Sequence, residues 1–472
     1  MTGGGSTTPP ARGVPRAPDR QDTGHQGTGH PDTGRPDRRR HDREILTLAV
    51  PAFGALVAEP LFLLGDSAIV GHLGTAQLAG LGVAGTALST LAGIFVFLAY
   101  ATTAAVARRV GAGDRRAAVQ QGIDGVWLAL LLAVPVALLA VLLAPQVAAL
   151  LGSSATAAPY AVTYLRISAL GIPAMLMVLA VTGVLRGLQD TRTPLLVAVG
   201  GFTANLGLNL VLVYGAHLGV AGSAWGTVLA QSAMAACYLA VVVRGARREG
   251  AALRPDRAGI RACARAGGPL VIRTLSLRAV LVLAMAVAAR LGDREVAAHQ
   301  IAMALWSFLA FALDAIAIAG QAIIGRYLGA GDEAGARAAT RRMVEWGLGS
   351  GVLLGLLVVL ARPLYIPLFT ADPAVRAQLS AVLLLVALTQ PASGPVFVLD
   401  GVLMGAGDGG YLAWAMLGTL VAFAPLALAV PAFGWGLAGL WWALNAFILV
   451  RCAFLFGRLR TGRWLVTGAV RA

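Results

Sequence analysis

From Ile45 to Gly457 the chain alternates long apolar stretches with short polar breaks, and this pattern constrains its fold more than any other feature. Twelve stretches can be marked, near 45–71, 78–107, 117–143, 159–184, 194–214, 220–243, 261–289, 296–325, 338–360, 376–404, 410–432 and 435–457. Each is long enough to cross a hydrocarbon layer of about 30 Å, which takes roughly 20 helical residues. The stretches are too long for barrel strands and show no period-two alternation, so helices alone can satisfy the backbone inside lipid. Composition adds one exclusion: with 58% hydrophobic and 12% charged residues, a chain of 472 residues lacks the polar surface of a soluble enzyme. The expected fold class is an all-α polytopic membrane protein with twelve transmembrane helices.

The net charge of +15 comes entirely from arginine, since the chain has 37 arginines and no lysine. Placed on the span pattern, 29 of the 37 fall on one side, four on the other, and four inside spans. An excess of this kind marks the cytoplasmic side. Both termini are therefore expected in the cytoplasm of a multi-pass protein of the inner (cytoplasmic) membrane. The asymmetry explains the charge without a nucleic-acid partner. Residues 1–43, rich in Gly, Pro, Thr, Asp and Arg, read as a disordered cytoplasmic tail, and they carry no apolar core of a cleavable signal peptide. Residues 461–472 read as a short cytoplasmic tail. Cys237, Cys263 and Cys452 have neither metal-ligand nor disulfide-framework spacing.

The two halves repeat at one offset. His72-Leu-Gly74 matches Arg290-Leu-Gly292, Val110-Gly-Ala-Gly-Asp114 matches Leu328-Gly-Ala-Gly-Asp332, and Gly183-Val-Leu-Arg-Gly-Leu-Gln-Asp190 matches Gly401-Val-Leu-Met-Gly-Ala-Gly-Asp408, all 218 positions apart. Pro51 matches Pro269 at the same offset, and Val220-Ala-Gly222 matches Leu437-Ala-Gly439 at 217. Such agreement in corresponding breaks indicates duplication. Six spans per repeat return the chain to its starting side, so both repeats insert in the same sense. The expected organisation is an N-lobe over 44–248 and a C-lobe over 249–460, two six-helix bundles related by a pseudo-two-fold axis along the membrane normal. Two bundles facing a central cleft suit alternating access.

Ionisable side chains within spans are costly and are the first functional candidates. Span 1 holds Glu59 and Asp66, seven residues and nearly two helical turns apart, with Pro60 between them to free a backbone carbonyl. Two acids on one face suit a proton or a small hard cation such as Na⁺. The rival for Asp66 is a structural ion pair with Arg166 in span 4. Asn205 and Asn209, four residues apart in span 5, are placed to ligate the same ion, to bind substrate, or to hydrogen-bond between helices. In the second half the 218 offset leads from Glu59 and Asp66 to Leu277 and Ala284, so an ion site is expected in one half only. Arg273, Arg278, Asp314 and Asp400 form a candidate C-lobe polar network, with Asp314 neutralised by Arg273 or Arg278, or else a second site for substrate charge. No catalytic motif or cluster is found and no enzyme activity is expected.

The run Glu59-Pro-Leu-Phe-Leu-Leu-Gly-Asp-Ser-Ala-Ile-Val-Gly-His-Leu-Gly74 resembles the first-helix signature of the MATE (multidrug and toxic compound extrusion) family, and most of all its DinF-type branch. Gly187-Leu-Gln-Asp-Thr-Arg-Thr-Pro194 with Asn205-Leu-Gly-Leu-Asn209 resembles that family's loop and fifth helix, and Arg273-Thr-Leu275 and Leu313-Asp314 resemble second-half motifs. The likeness covers residues 44–460. It implies a secondary antiporter that exports small organic compounds or drugs, driven by H⁺ or Na⁺, with the coupling ion at the acid matching Asp66 and with Asn205 in that site. Asn209 stands where some members carry Asp, and Gln321 where DinF-type chains often carry Glu. No cofactor is implied beyond the coupling ion, no metal beyond a Na⁺ at Asp66, and no partner beyond substrate and bilayer; the expected unit is a monomer. The alternative is a lipid-linked oligosaccharide flippase of the same superfamily, which more often has fourteen spans and a cationic cleft.

Overall fold

The computed structural model describes residues 1–5 and 35–470, apart from the side chains of residues 35–37 and 59. Most of the expected N-terminal tail therefore lies outside the described residues. The helices are α1 (Arg35–Gly71), α2 (Thr75–Phe95), α3 (Phe97–Gly111), α4 (Arg115–Leu142), α5 (Ala144–Leu150), α6 (Ala158–Ala169), α7 (Ile172–Gly187), α8 (Arg192–Leu210), α9 (Gly219–Glu249), α10 (Arg257–Leu291), α11 (Asp293–Gly329), α12 (Glu333–Phe369), α13 (Pro373–Gly405), α14 (Gly409–Ala432) and α15 (Gly436–Thr461). Among the described residues, eleven segments are long and apolar enough to cross a membrane, with α2 and α3 forming one of them and α8 extended through a π-helical turn at Val211–Gly215. The bent pair α6–α7, with 55° between its halves, makes a twelfth. The protein is thus an all-helical membrane protein of the expected class.

Several polar breaks between spans are helix caps. Asp114, Asp256, Asp332 and Asp372 each accept a backbone N–H from the first turn of α4, α10, α12 and α13, which satisfies donors that a helix start otherwise leaves open. Gly113 and Gly331, just before two of these caps, take φ of +81° and +76°, and Gly74 and Gly292 take +142° and +140°. Both pairs are 218 positions apart, so the duplicated glycines mark duplicated turns that a side chain would strain.

Within each lobe, small residues let backbones touch. A Cβ at Gly183 would stand 2.4 Å from the Ala99 carbonyl, and one at Gly187 2.8 Å from the Thr103 carbonyl, so α7 rests on α3. Gly401 and Gly405 repeat this at the 218 offset: Cβ atoms there would meet the carbonyls of Ala317 at 2.2 Å and Gln321 at 2.4 Å, so α13 rests on α11. Small residues four apart on a helix are the usual means of close packing in lipid.

The lobes meet where α3 and α11 lie against each other. A Cβ at Gly111 would fall 2.0 Å from the Arg326 carbonyl, and one at Gly329 1.9 Å from the Arg108 carbonyl. Gly111 with Gly329, and Arg108 with Arg326, are again 218 apart, so this contact is self-complementary about the pseudo-two-fold axis. Around it, at the end of the bundle that carries both the start of α1 and the C-terminal residues, Arg326 pairs with Glu44. Arg342 donates to Asp42 at 2.6 and 2.9 Å, Trp346 Nε1 donates to the same carboxylate at 2.7 Å, and Arg108 donates to the Val466 carbonyl. Gln321 Nε2, deeper in, donates to the Tyr100 carbonyl at 2.6 Å. The lobe-to-lobe hydrogen bonds among the described residues gather at this end, which is therefore closed.

These pairs correct the extent of the expected tail. Residues 35–43 are helical, the first turns of α1, with Pro36 near the helix start, where its missing N–H costs nothing. Buried His41 and the carboxylates of Asp42 and Glu44 give this segment partners on the opposite lobe, and that offsets the ordering entropy a free tail could not.

Candidate functional site

Asp66 sits near the far end of α1, only 2% exposed. Its Oδ1 accepts from Asn209 Nδ2 at 2.6 Å and from Ser223 Oγ at 2.7 Å. Its Oδ2 has one long contact, from Tyr164 Oη at 3.4 Å. Tyr164 Oη also lies 3.4 Å from Thr227 Oγ1, and Asn205 Nδ2 donates to that same hydroxyl at 3.2 Å. Four spans thus meet at one carboxylate: α1, α6, α8 and α9.

Local sequence explains how they fit. On α9, Gly222, Ser223 and Gly226 let α8 approach: a Cβ at Gly226 would stand 2.0 Å from Asn209 Oδ1, and one at Gly222 2.7 Å from the Leu212 carbonyl. Two residues beyond Asn209, α8 relaxes into the π-helical turn Val211–Gly215, a device often found beside functional sites. Tyr214 Oη in that turn donates to the Ile69 carbonyl at 2.6 Å, tying it to the end of α1. An ionised carboxylate only accepts, so it draws the Asn209 amide nitrogen toward itself and turns the amide oxygen away. The Oδ1 atoms of Asn205 and Asn209 are buried and have no hydrogen-bond partner among the described residues.

Of the expected residues, Asp66, Asn205 and Asn209 come together here. Glu59 lies two turns earlier on the same unbroken helix, and its side chain lies outside the described residues. The rival pair of Asp66 with Arg166 is absent. Two residues along α6 is a rotation of about 200°, so Tyr164 faces Asp66 while Arg166 points outward and is exposed. Sequence reading missed Tyr164, Ser223 and Thr227. The one available signal was the Val220-Ala-Gly222 repeat, which marks the close helix contact next to Ser223.

The C-lobe is built differently. Residues at the repeat offset from Asp66, Asn209 and Ser223 are Ala284, Ala427 and Leu440, all fully buried and apolar. Its own polar group is a triad: Asp400 on α13 pairs with Arg273 on α10, whose Nη2 lies 2.5 Å away, and with Arg451 on α15. All three are buried, Arg451 also lies over the Phe397 ring at 5.8 Å, and the Nε atoms of both arginines have no acceptor among the described residues. This corrects the expected pairing of Arg273 or Arg278 with Asp314. Arg273 and Arg278 are five residues apart, about 140° around the helix. Arg273 therefore faces α13, while Arg278 is exposed and lies on Gly93 of α2 in the other lobe, where a Cβ would meet its Nη2 at 2.1 Å. Asp314 on α11 is half-buried without a hydrogen-bond partner among the described residues, in the field of Arg273 and Arg451 and of Arg186 across the interface. No group of three or more His, Cys, Asp or Glu able to hold a metal ion occurs among the described residues.

Comparison with known proteins agrees with this architecture. The sequence model of the MatE family matches residues 51–211 and again residues 269–429, two segments offset by 218 that together cover more than half of the chain. The chain is 32% identical over 441 residues to Protein DETOXIFICATION 44, chloroplastic, of Arabidopsis thaliana, covering 89% of this chain and 83% of that one. It is 29% identical over 428 residues to DNA damage-inducible protein F of Escherichia coli, covering 88% and 92%. Its fold is similar to an aspartate-to-asparagine mutant of the Vibrio cholerae MATE transporter VcmN, with a TM-score of 0.83 at 23% identity, covering 91% of this chain and 98% of that one. It is also similar to a MOP superfamily transporter from Pyrococcus furiosus, with a TM-score of 0.82 at 21% identity, covering 90% and 96%. A family match that recurs at the internal repeat, on two lobes packed about a pseudo-two-fold axis, shows that this chain belongs to the MATE family of membrane transporters and is not an enzyme.

Proposed function

We propose that the chain is an antiporter of the cytoplasmic membrane that exports organic compounds in exchange for a cation captured at Asp66, with both termini in the cytoplasm. The arginine asymmetry supports the orientation. On that orientation the closed end faces the cytoplasm and the conformation is outward-facing. One observation carries the reading: a carboxylate is buried inside a membrane lobe and, among the described residues, has no arginine against it and is held by an amide and two hydroxyls. A carboxylate neutralised by a permanent ion pair has nothing to exchange, whereas one held by neutral donors can take up and release a cation.

The donors crowd Oδ1 and leave Oδ2 with only the long Tyr164 contact, so a proton arriving from outside is received at Oδ2. Neutralisation weakens the charge-assisted bonds to Asn209 and Ser223 and loosens α1 from α8 and α9. The π-helical turn and its Tyr214 tie to Ile69 let the end of α8 follow α1. Substrate leaves toward the open side, and the lobes then rock. A second reading, Na⁺ at the same place, is favoured by the unpartnered amide oxygens of Asn205 and Asn209, which suit a hard cation once the Asn209 amide turns over. One chain holds both lobes and the whole Asp66 site, so a monomer is the transport unit.

The test is efflux of a dye panel from proteoliposomes under separately imposed pH and Na⁺ gradients. Efflux driven by one gradient and lost in Asp66→Asn is expected. Efflux that neither gradient drives overturns antiport.

A further inference from the structure

At the closed end of the bundle, away from the open side of the cleft, the start of α1, the turn between α7 and α8, and the end of α11 surround a pocket of about 590 Å³. Arg39, Arg40, Arg43 and Arg326 line it, and Glu44 is the one carboxylate among its lining residues. Glu44 is taken by Arg326. The other three arginines are exposed and have no ion-pair partner among the described residues. Gln189 adds a neutral donor. Its Oε1 accepts from Arg326 Nη1 at 3.0 Å, which leaves its Nε2 buried without an acceptor among the described residues. Gln189 also holds φ at +64°, where the repeat offset gives Gly407 at +69°. A side chain thus stands in a left-handed turn that the other half leaves to glycine, and backbone strain of this kind gathers where a side chain is needed.

The sequence of α1 indicates what kind of molecule reaches this pocket. At about 100° per residue, Arg39, Arg43, Leu46, Val50 and Phe53 fall within a sector of about 80°. Asp42 faces α12, Glu44 faces α11, and Gly54 meets Leu195 of α8. The sector lies between α12 and α8, on the side of α1 away from α11. Leu46, Val50 and Phe53 are exposed there, as side chains against lipid are. The basic pocket therefore sits at the head of an apolar track on the same helix face. Guanidinium forks match phosphate oxygens in geometry, and basic pockets between helices on the cytoplasmic side suit anionic headgroups. A soluble phosphate uses the arginines alone, whereas a phospholipid uses both the arginines and the track.

We propose that this pocket binds the phosphodiester headgroup of an anionic phospholipid of the inner leaflet, with Arg39, Arg40 and Arg43 as its charge partners, Gln189 Nε2 as a neutral donor, and one acyl chain along Leu46, Val50 and Phe53. The site goes beyond the exporter reading and takes from it only the orientation, which puts the closed end at the inner leaflet.

The test is native mass spectrometry of the delipidated full-length protein released from detergent, titrated with dioleoyl phosphatidylglycerol, with dioleoyl phosphatidylcholine, or with inorganic phosphate as competitor. The first phosphatidylglycerol is expected to bind at least tenfold tighter than phosphatidylcholine, and the double change Arg39→Gln with Arg43→Gln is expected to remove that preference. Both side chains are exposed, so their truncation opens no core. Arg247→Gln with Arg248→Gln removes the same charge from exposed positions in the last turn of α9 and is expected to leave the preference in place. Equal binding of the two lipids, or equal loss of preference in both double variants, overturns the site, the first by showing no headgroup recognition and the second by showing a diffuse surface field. Displacement of phosphatidylglycerol by inorganic phosphate at equal concentration shows that the arginines take a free anion, and overturns the lipid. No readout here involves transport, so a failure of the exporter reading, seen in gradient-driven flux, leaves this site standing, and failure of the site leaves the exporter standing.

Discussion

Replacing Asp66 by Asn and by Ala separates charge from architecture at the candidate cation site. Asn keeps an oxygen to accept from Asn209 and Ser223, now at 2.6 and 2.7 Å, and turns its new NH₂ toward Tyr164 Oη, which can accept. The two bonds lose their charge assistance, about 1–1.5 kcal/mol each on the difference between charged and neutral hydrogen bonds. Against this, the charge is no longer buried, a relief of several kcal/mol in an interior of low dielectric. The net change in stability for Asp66→Asn is therefore near zero or favourable. Ala removes both acceptors and strands a buried amide N–H and a buried hydroxyl, at roughly 1–3 kcal/mol each, so Asp66→Ala costs about 2–6 kcal/mol plus the cavity. Thermal unfolding in detergent is expected to rank Asp66→Asn at or above wild type and Asp66→Ala clearly below. Efflux under a pH or Na⁺ gradient is expected to fall to the level of protein-free vesicles in both. Wild-type gradient-driven efflux by Asp66→Asn would falsify the role of this carboxylate, and equal stabilities for Asn and Ala would refute the hydrogen-bond geometry behind it.

Three further substitutions probe the surrounding structure. Gly226→Ala puts a Cβ 2.0 Å from Asn209 Oδ1, so the amide must leave Asp66; a cost of about 1–3 kcal/mol and at least a tenfold drop in coupled efflux are expected, while Gly207→Ala on α8, with nothing within 4 Å, leaves both near wild type. Asp400→Asn strips the carboxylate that Arg273 and Arg451 share; breaking a buried ion group this way costs about 3–5 kcal/mol, read as a lowered melting temperature, and an unchanged one would show that the triad is not buried as described. The double change Asp42→Asn with Glu44→Gln removes the acids that Arg342 and Arg326 hold at the closed end. It is expected to shift the equilibrium toward opening there by about 1–3 kcal/mol, and so by roughly 5- to 150-fold. The readout is maleimide labelling of Cys263 of α10, buried against Gln121 of α4, with Cys237 and Cys452 replaced by Ala; an unchanged labelling rate would show that these pairs do not hold the lobes together.

What the sequence disclosed and what it hid divide along a physical line. The spans and the duplication are properties of single residues or of residues close in the chain. Apolar length reports burial in lipid, and a glycine at a turn or a helix crossing reports a backbone that tolerates no side chain. For that reason Gly183 and Gly187 recur as Gly401 and Gly405, and the family match itself falls twice at the same spacing. Partner choice is a property of two helices and of their rotation, which no single stretch encodes. Tyr164 and Arg166 differ by two positions and face opposite sides of α6, and the arginine, chemically the more obvious partner for an acid, is the one turned away. Arg273 and Asp314 are attractive as a pair by charge alone, yet the turn of α10 directs Arg273 to Asp400 on α13. Ser223 and Thr227 were invisible because a hydroxyl in an apolar helix usually returns its hydrogen bond to its own backbone. Thr227 makes that bond to the Ser223 carbonyl at 3.1 Å and still offers its oxygen to Asn205, while Ser223 spends its proton on Asp66. A duplicated frame with unduplicated polar contents follows from the same distinction. Glycines at helix crossings must persist in both halves for either to pack, but a buried acid is tolerated only where donors converge on it. In the C-lobe the counterparts Ala284, Ala427 and Leu440 close that space with apolar side chains, and its charge is concentrated instead at Asp400 of α13, shared between Arg273 of α10 and Arg451 of α15.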